Sequence, residues 1–145
     1  MQDTPYQSHL RKGRYSHLSQ IYHVIFNTKN RKPLFNNFAY ARLLIQQLSA
    51  HQPQASTLAF VVMPDHLHWL LQLNQSQPLS LLVKSVKAKT AQAIGQPIWQ
   101  AGYYDHSVRK DEDIVNIARY IIANPVRAGL VKRVVDYPHW DAIWL

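Results

Sequence analysis

The chain is expected to fold as an α+β domain, a small antiparallel sheet with helices packed on a face in a ferredoxin-like layout. Three observations predict this. Segments rich in β-branched and aromatic residues alternate with segments of helical periodicity in the order β-α-β-β-α-β-α. Two of the strand segments are separated by only two residues, which calls for an antiparallel hairpin. The 145 residues, 47% of them hydrophobic, suffice for one core, and no repeat or long linker divides them. A single unit over residues 1–145 is therefore expected.

Each element has its own warrant. Residues 1–19 are polar and basic (His9, Arg11, Lys12, Arg14, His17) with Gly13 breaking regularity, so they read as an arm that orders on binding or as a solvated tail. Gln20 to Thr28 (QIYHVIFNT) reads as a strand closed by the basic turn Lys29-Asn30-Arg31-Lys32-Pro33. Its period of two sorts Ile21, His23, Ile25 and Asn27 to one side and Tyr22, Val24 and Phe26 to the other. Residues 37–51 repeat apolar positions (Phe38, Ala41, Leu44, Ile45, Leu48) at helical spacing. Residues 57–63 and His66 to Leu73 form the hairpin strands around Pro64-Asp65. Pro78 opens a helix that Gly95 stops, with Leu79, Leu82, Val83, Val86, Thr90, Ala93 and Ile94 as its buried stripe. Residues 98–109 suggest an irregular fourth strand bent at Ala101-Gly102. Asp111 is expected to cap the last helix, with Glu112 and Asp113 complementing its dipole, and the helix must stop near Asn124 because Pro125 follows. Residues 132–145 are left as a C-terminal extension.

Composition narrows the chemistry. There is no cysteine, which removes disulfides, Cys-ligated zinc, iron–sulfur clusters and thiol nucleophiles, so any metal must be held by His, Asp, Glu or Asn. Sixteen Lys and Arg against eight Asp and Glu give +8, which predicts a polyanionic partner, nucleic acid first and an anionic membrane surface second. The apolar runs are too short for a membrane span and the N-terminus lacks a signal-peptide core, so a bacterial-type cytosolic protein is expected. No Walker lysine loop, nucleophile elbow or Gly-rich dinucleotide turn occurs.

Three constellations remain. In Met63-Pro64-Asp65-His66-Leu67-His68-Trp69, the two histidines are two apart on a strand and present their imidazoles side by side, fit either to share a divalent ion or to stand as surface histidines. Asp65 reads more readily as a turn residue than as a support for them. In Ile117 to Pro125, Tyr120 and Asn124 lie at i and i+4 beside the apolar stripe Ile114, Ile117, Ala118, Ile121 and Ile122, either converging on one site or serving as a packing residue and a helix stop. Basic residues, among them Arg11, Lys12, Arg14, Lys84, Lys87 and Arg109, are spread over loops and helices with aromatics between them, a pattern that suits unpaired nucleic acid.

Taken together, YHVIFNTKNRKPLF (22–35), VVMPDHLHWLL (61–71) and IWQAGYYDHSVRKDEDIVNIARYIIANPVRAGLV (98–131) resemble the IS200-like transposases, and more closely their REP-associated branch. The resemblance covers about three-quarters of the chain in order and spacing. It implies the HUH single-tyrosine fold and a single-strand endonuclease and strand transferase acting beside DNA hairpins through a 5′-phosphotyrosine. On this resemblance His66 and His68 match the metal pair, Tyr120 the nucleophile, and Asn124 the position of the third ligand, often Gln in the insertion-sequence branch. It further implies Mg or Mn as the metal, single-stranded DNA hairpins as partners, no membrane association, a bacterial cytoplasmic, nucleoid-associated setting, and a monomer, with a dimer, as in many of the insertion-sequence branch, as the alternative. Tyr104-Asp105-His106 and Arg109 resemble a further family stretch, without roles for Asp105 or His106. On residues alone two other readings stand: a non-catalytic nucleic-acid-binding module, and a hydrolase in which His66 and His68 activate water and Tyr120 is structural.

Overall fold

The computed structural model describes residues 20–74 and 77–144. The basic arm, with Arg11, Lys12 and Arg14, lies outside the described residues. Among the described residues five strands, β1 (Ile21–Asn27), β2 (Ala55–Met63), β3 (His66–Leu73), β4 (Tyr104–Val108) and β5 (Trp140–Ala142), form one antiparallel sheet in the order β4-β1-β3-β2-β5. Among the described residues four α-helices accompany it: α1 (Phe38–Ala50), α2 (Leu79–Ile94), α3 (Asp111–Ile122) and the single turn α4 (Asn124–Arg127).

The sheet is covered on both faces, not one, because its strands are apolar on both sides. Val24, Phe26, Leu67, Trp69 and Leu71 meet Ala41, Leu44 and Leu48 of α1 and Leu82, Val83 and Val86 of α2. Ile21, Ala59, Val61 and Leu70 meet Ile114, Ala118 and Ile121 of α3. The α+β class and the antiparallel sheet flanked by helices are as the sequence predicts. In α2 the stripe ends differently, since Ala93 is exposed and half-buried Ala91 and Ile94 complete the packing.

Several boundaries move for local reasons. Lys110, with extended backbone, is the N-cap of α3, so Asp111 is the first helical residue instead of the cap. Either way the acidic trio Asp111, Glu112 and Asp113 sits on the positive end of the dipole. Helix α3 stops at Ile122, and the chain turns at Ala123 into α4 with Pro125 at its start, where the missing N–H costs nothing. The fourth strand shrinks to Tyr104–Val108, with Trp99 forming only an isolated bridge to Thr28. Strand β5, inside the expected extension, pairs Trp140 and Ala142 with Val61 and Ala59. Three residues carry too little periodicity to be read as a strand; the open edge of β2 decides their conformation.

The C-terminal segment is tied down beside that edge by Tyr137, whose hydroxyl donates to the Val62 carbonyl at 2.6 Å. Burial pushes its phenol up to about 12. The fold therefore holds the protonated form more tightly than the unfolded chain does. This contribution is complete below the ordinary phenol value of about 10 and is lost as the pH rises from there through about 12. Tyr137→Phe is expected to cost about 1 kcal/mol at neutral pH, the net value of one hydrogen bond. It should also flatten the loss of stability between those pH values, which denaturant titrations at a series of alkaline pH values measure.

Candidate active site

The site lies on the face of the sheet that α3 covers, and strand pairing assembles it. His66 and His68 of β3 point to this face, while Leu67 and Trp69 between and beyond them enter the core of the other face. The β1 register sets Asn27 opposite His66 and Ile25 opposite His68, so His23, two residues before Ile25, is a diagonal neighbour of His68. The β4 register then sets His106 opposite His23. The sequence pattern placed His23 correctly on its strand but gave it no role, because only the pairing of non-consecutive strands β1 and β3 brings it to the site.

The two imidazoles of β3 stand with ring centroids 5.0 Å apart. Each is held through Nδ1. His66 Nδ1 donates to Asp65 Oδ1 at 2.7 Å, and Asp65 Oδ2 accepts from Arg31 Nε at 2.9 Å. Asp65 is thus a support for His66 and not a plain turn residue. Burial works to raise its pKa, but the hydrogen bonds and charges of Arg31 and His66 outweigh it and hold the carboxyl below the ordinary value. His68 Nδ1 lies 3.0 Å from His23 Nε2. Burial, and then the positive potential of His66, His23 and Arg127, press His68 down to about 3; burial and His106 press His23 to about 4. Both rings are neutral at physiological pH.

Tyr120 reaches the same place from α3. Its ring is 53% exposed and lies 6.5 Å from that of His68, edge to face. Arg127, on α4, stacks its guanidinium 3.8 Å from the Tyr120 ring centroid and donates from Nη2 to the Tyr120 carbonyl at 2.7 Å. Ala123 keeps right-handed helical dihedrals, so Arg127, seven residues after Tyr120, lies on the same face and its long side chain reaches back to the ring. Asn124 stands one turn beyond Tyr120, its amide nitrogen tied to the Ile121 carbonyl at 3.2 Å, so the amide oxygen is the end that remains for a ligand role.

The donor set suits a divalent cation. A carboxylate only accepts hydrogen bonds, so His66 carries its proton on Nδ1 and, when neutral, its lone pair on Nε2. No three His, Asp or Glu side chains group as ligands among the described residues, so His66 and His68 would need ligands of another kind beside them, and the amide oxygen of Asn124 is one such donor. Two imidazoles and an amide oxygen leave coordination positions open, as a catalytic ion requires.

The basic residues divide. Arg109 lines a cleft of about 630 Å³ with His106, Lys110, Asn116, Ile117 and Tyr120. Lys84 and Lys87 belong to α2, which packs on the opposite face of the sheet. Lys87 is half-buried: its ammonium donates to the carbonyls of Gln100 and Gly102, both at 2.9 Å, and lies 5.7 Å from the Phe26 ring centroid. It holds the bend at Ala101-Gly102 in place, and burial lowers its pKa.

No helix among the described residues is long and apolar enough to cross a membrane. Comparison with known proteins points to one family and agrees with the fold. A protein of Haemophilus influenzae assigned as a REP-associated tyrosine transposase is 25% identical over 132 residues, covering 80% of this chain and 74% of that one. The REP-associated tyrosine transposase of Escherichia coli is 34% identical over 82 residues, covering 55% of this chain and 50% of its own length. The solved structure of a REP-associated tyrosine transposase bound to a REP hairpin superimposes with a TM-score of 0.71 at 26% identity, covering 84% of this chain and 76% of that one. Residues 16–124 match the family model described as transposase IS200 like, and the chain belongs to that family of transposase enzymes.

Proposed function

We propose that the chain nicks and rejoins single-stranded DNA beside hairpins, with Tyr120 as nucleophile and His66, His68 and Asn124 holding Mg²⁺ or Mn²⁺. The observation that supports this best is the exposed Tyr120 ring 6.5 Å from an imidazole whose Nδ1 is engaged. A solved relative binds a REP hairpin, which points to the same class of DNA here.

A phenol, with an ordinary pKa of about 10, is a weak nucleophile at neutral pH. The bound ion would polarise the scissile phosphate and offset charge as the pentavalent state forms. Tyr120 Oη bonds to phosphorus and loses its proton; the bond from phosphorus to O3′ breaks, and O3′ takes up a proton. The products are a 5′-phosphotyrosine and a free 3′-OH, and a second 3′-OH reverses the steps to join strands. Arg127 fixes the ring plane and sets a positive charge beside the phosphate. The cleft lined by Tyr120, Arg109 and Lys110 offers the strand its approach.

The test is incubation of hairpin single-stranded DNAs with Mn²⁺. A covalent species retarded on denaturing gels is expected, lost with a chelator. Its absence from wild-type protein that still binds the hairpins would favour the binding-module reading. Arg127→Ala is expected to slow adduct formation by about 10-fold to 100-fold through misplacement of the phenol, at a cost in stability of about 1 kcal/mol, the scale of one exposed cation–π contact and one hydrogen bond. Single-turnover rates and urea titration measure the two quantities.

A further inference from the structure

We propose that His23 is a positioning residue for His68, its Nε2 accepting the Nδ1 proton of His68 so that the lone pair of His68 stays on Nε2 for a divalent cation. This rests on the metal reading above and adds to it a residue that reading does not contain.

The geometry supplies the partners. His23 Nε2 and His68 Nδ1 are 3.0 Å apart, and the rings lie 5.2 Å between centroids at 27°. Strand register, not side-chain chance, sets the pair, since residues diagonal across an antiparallel ladder on one face are within reach when the side chains are long. Two neutral imidazoles joined by one hydrogen bond have one proton between them and two ways to place it. If His23 donates, His68 carries its proton on Nε2 and is closed to a metal. If His68 donates, Nε2 is open. A cation at His68 selects the second arrangement, and His23 must then be the acceptor.

The adjacent histidine has the same design with a different partner. Asp65 orients His66 from Nδ1 and is itself neutralised by Arg31. A second carboxylate at position 23 would orient His68 equally well but would add a negative charge on the face that a phosphate must approach. A neutral imidazole orients without that charge. His23 is also not counted among the ligands: its Nε2 is engaged by His68, and no triad of His, Asp or Glu forms a ligand set among the described residues.

The experiment titrates Mn²⁺ into the full chain, wild type and variants, and follows free Mn²⁺ by electron paramagnetic resonance. His23→Leu is expected to weaken Mn²⁺ binding by about 10-fold to 100-fold, and His23→Gln, whose amide oxygen can accept in place of Nε2, to return it to within about threefold of wild type. Circular dichroism checks that each variant folds. In Mg²⁺-loaded wild type, ¹⁵N shifts should show His68 protonated on Nδ1, a readout that stands even if His23→Leu does not fold. Unchanged affinity in His23→Leu overturns the proposal. So does a His23→Gln variant as weak as His23→Leu, the result for a direct ligand or a packing role, and so does a proton on His68 Nε2. If His66→Ala leaves Mn²⁺ binding at the wild-type value, the metal reading fails and this one with it; if His66→Ala weakens binding and His23→Leu does not, only the present proposal fails.

Discussion

Tyr120→Phe is expected to abolish the covalent protein–DNA species and to lower strand cleavage by about a thousandfold or more, the scale on which loss of a nucleophile acts. The substitution removes one oxygen from a ring that is 53% exposed, so neither packing nor the Arg127 stack is lost. Hairpin binding and thermal stability should stay at wild-type values. Tyr104, at 62% exposed on β4, is the natural control, and Tyr104→Phe should retain the adduct. The chain has no cysteine to substitute as a nucleophile. An adduct that persists in Tyr120→Phe would refute the assignment. Cleavage that persists without an adduct would transfer the chemistry to water activated at His66 and His68.

Trp69→Ala should be the most damaging single change to stability, at about 3–5 kcal/mol. The indole is fully buried among Phe26, Leu67, Leu71 and the residues of α1 and α2, and its Nε1 donates to Thr57 Oγ1 at 2.9 Å. Truncation leaves a cavity where two helices meet the sheet and strands the Thr57 hydroxyl. Domains of this size have about 5–15 kcal/mol in total, and each kcal/mol moves the midpoint by about 2–4 °C, so a fall of about 10 °C or more is expected. Urea and thermal melts measure it, and a loss under about 1 kcal/mol would mean the site collapses freely. Because Trp69 faces away from His68, its neighbour in sequence, any loss of activity should follow the unfolded fraction.

Much of this protein is legible from residues alone, and the reason is local. Period two in β1 and β3, helical spacing in α1, α2 and α3, and the terminators Gly95 and Pro125 depend on neighbours within a few positions. The side-by-side pair His66 and His68 is local in the same sense, since two residues apart on a strand share a face. So is the family, carried by contiguous strings of the sequence, the family model matching residues 16–124.

What the tertiary structure decided is non-local. Whether Asp65 braces His66 depends on Arg31, which arrives from the turn after β1. His23 meets His68 only because β1 lies between β4 and β3. Lys87 is a clasp for the bend at Gly102 because α2 packs beside that loop, although its charge reads from sequence like that of exposed Lys84. Strand β5 exists because β2 has a free edge to pair with. The residue types and their spacing determined the fold class and set out His66, His68 and Tyr120 as candidates, to which the family resemblance gave roles; the packing of distant segments determined their supporting partners, since hydrogen bonds between residues 34 to 75 positions apart leave no periodic trace in the chain.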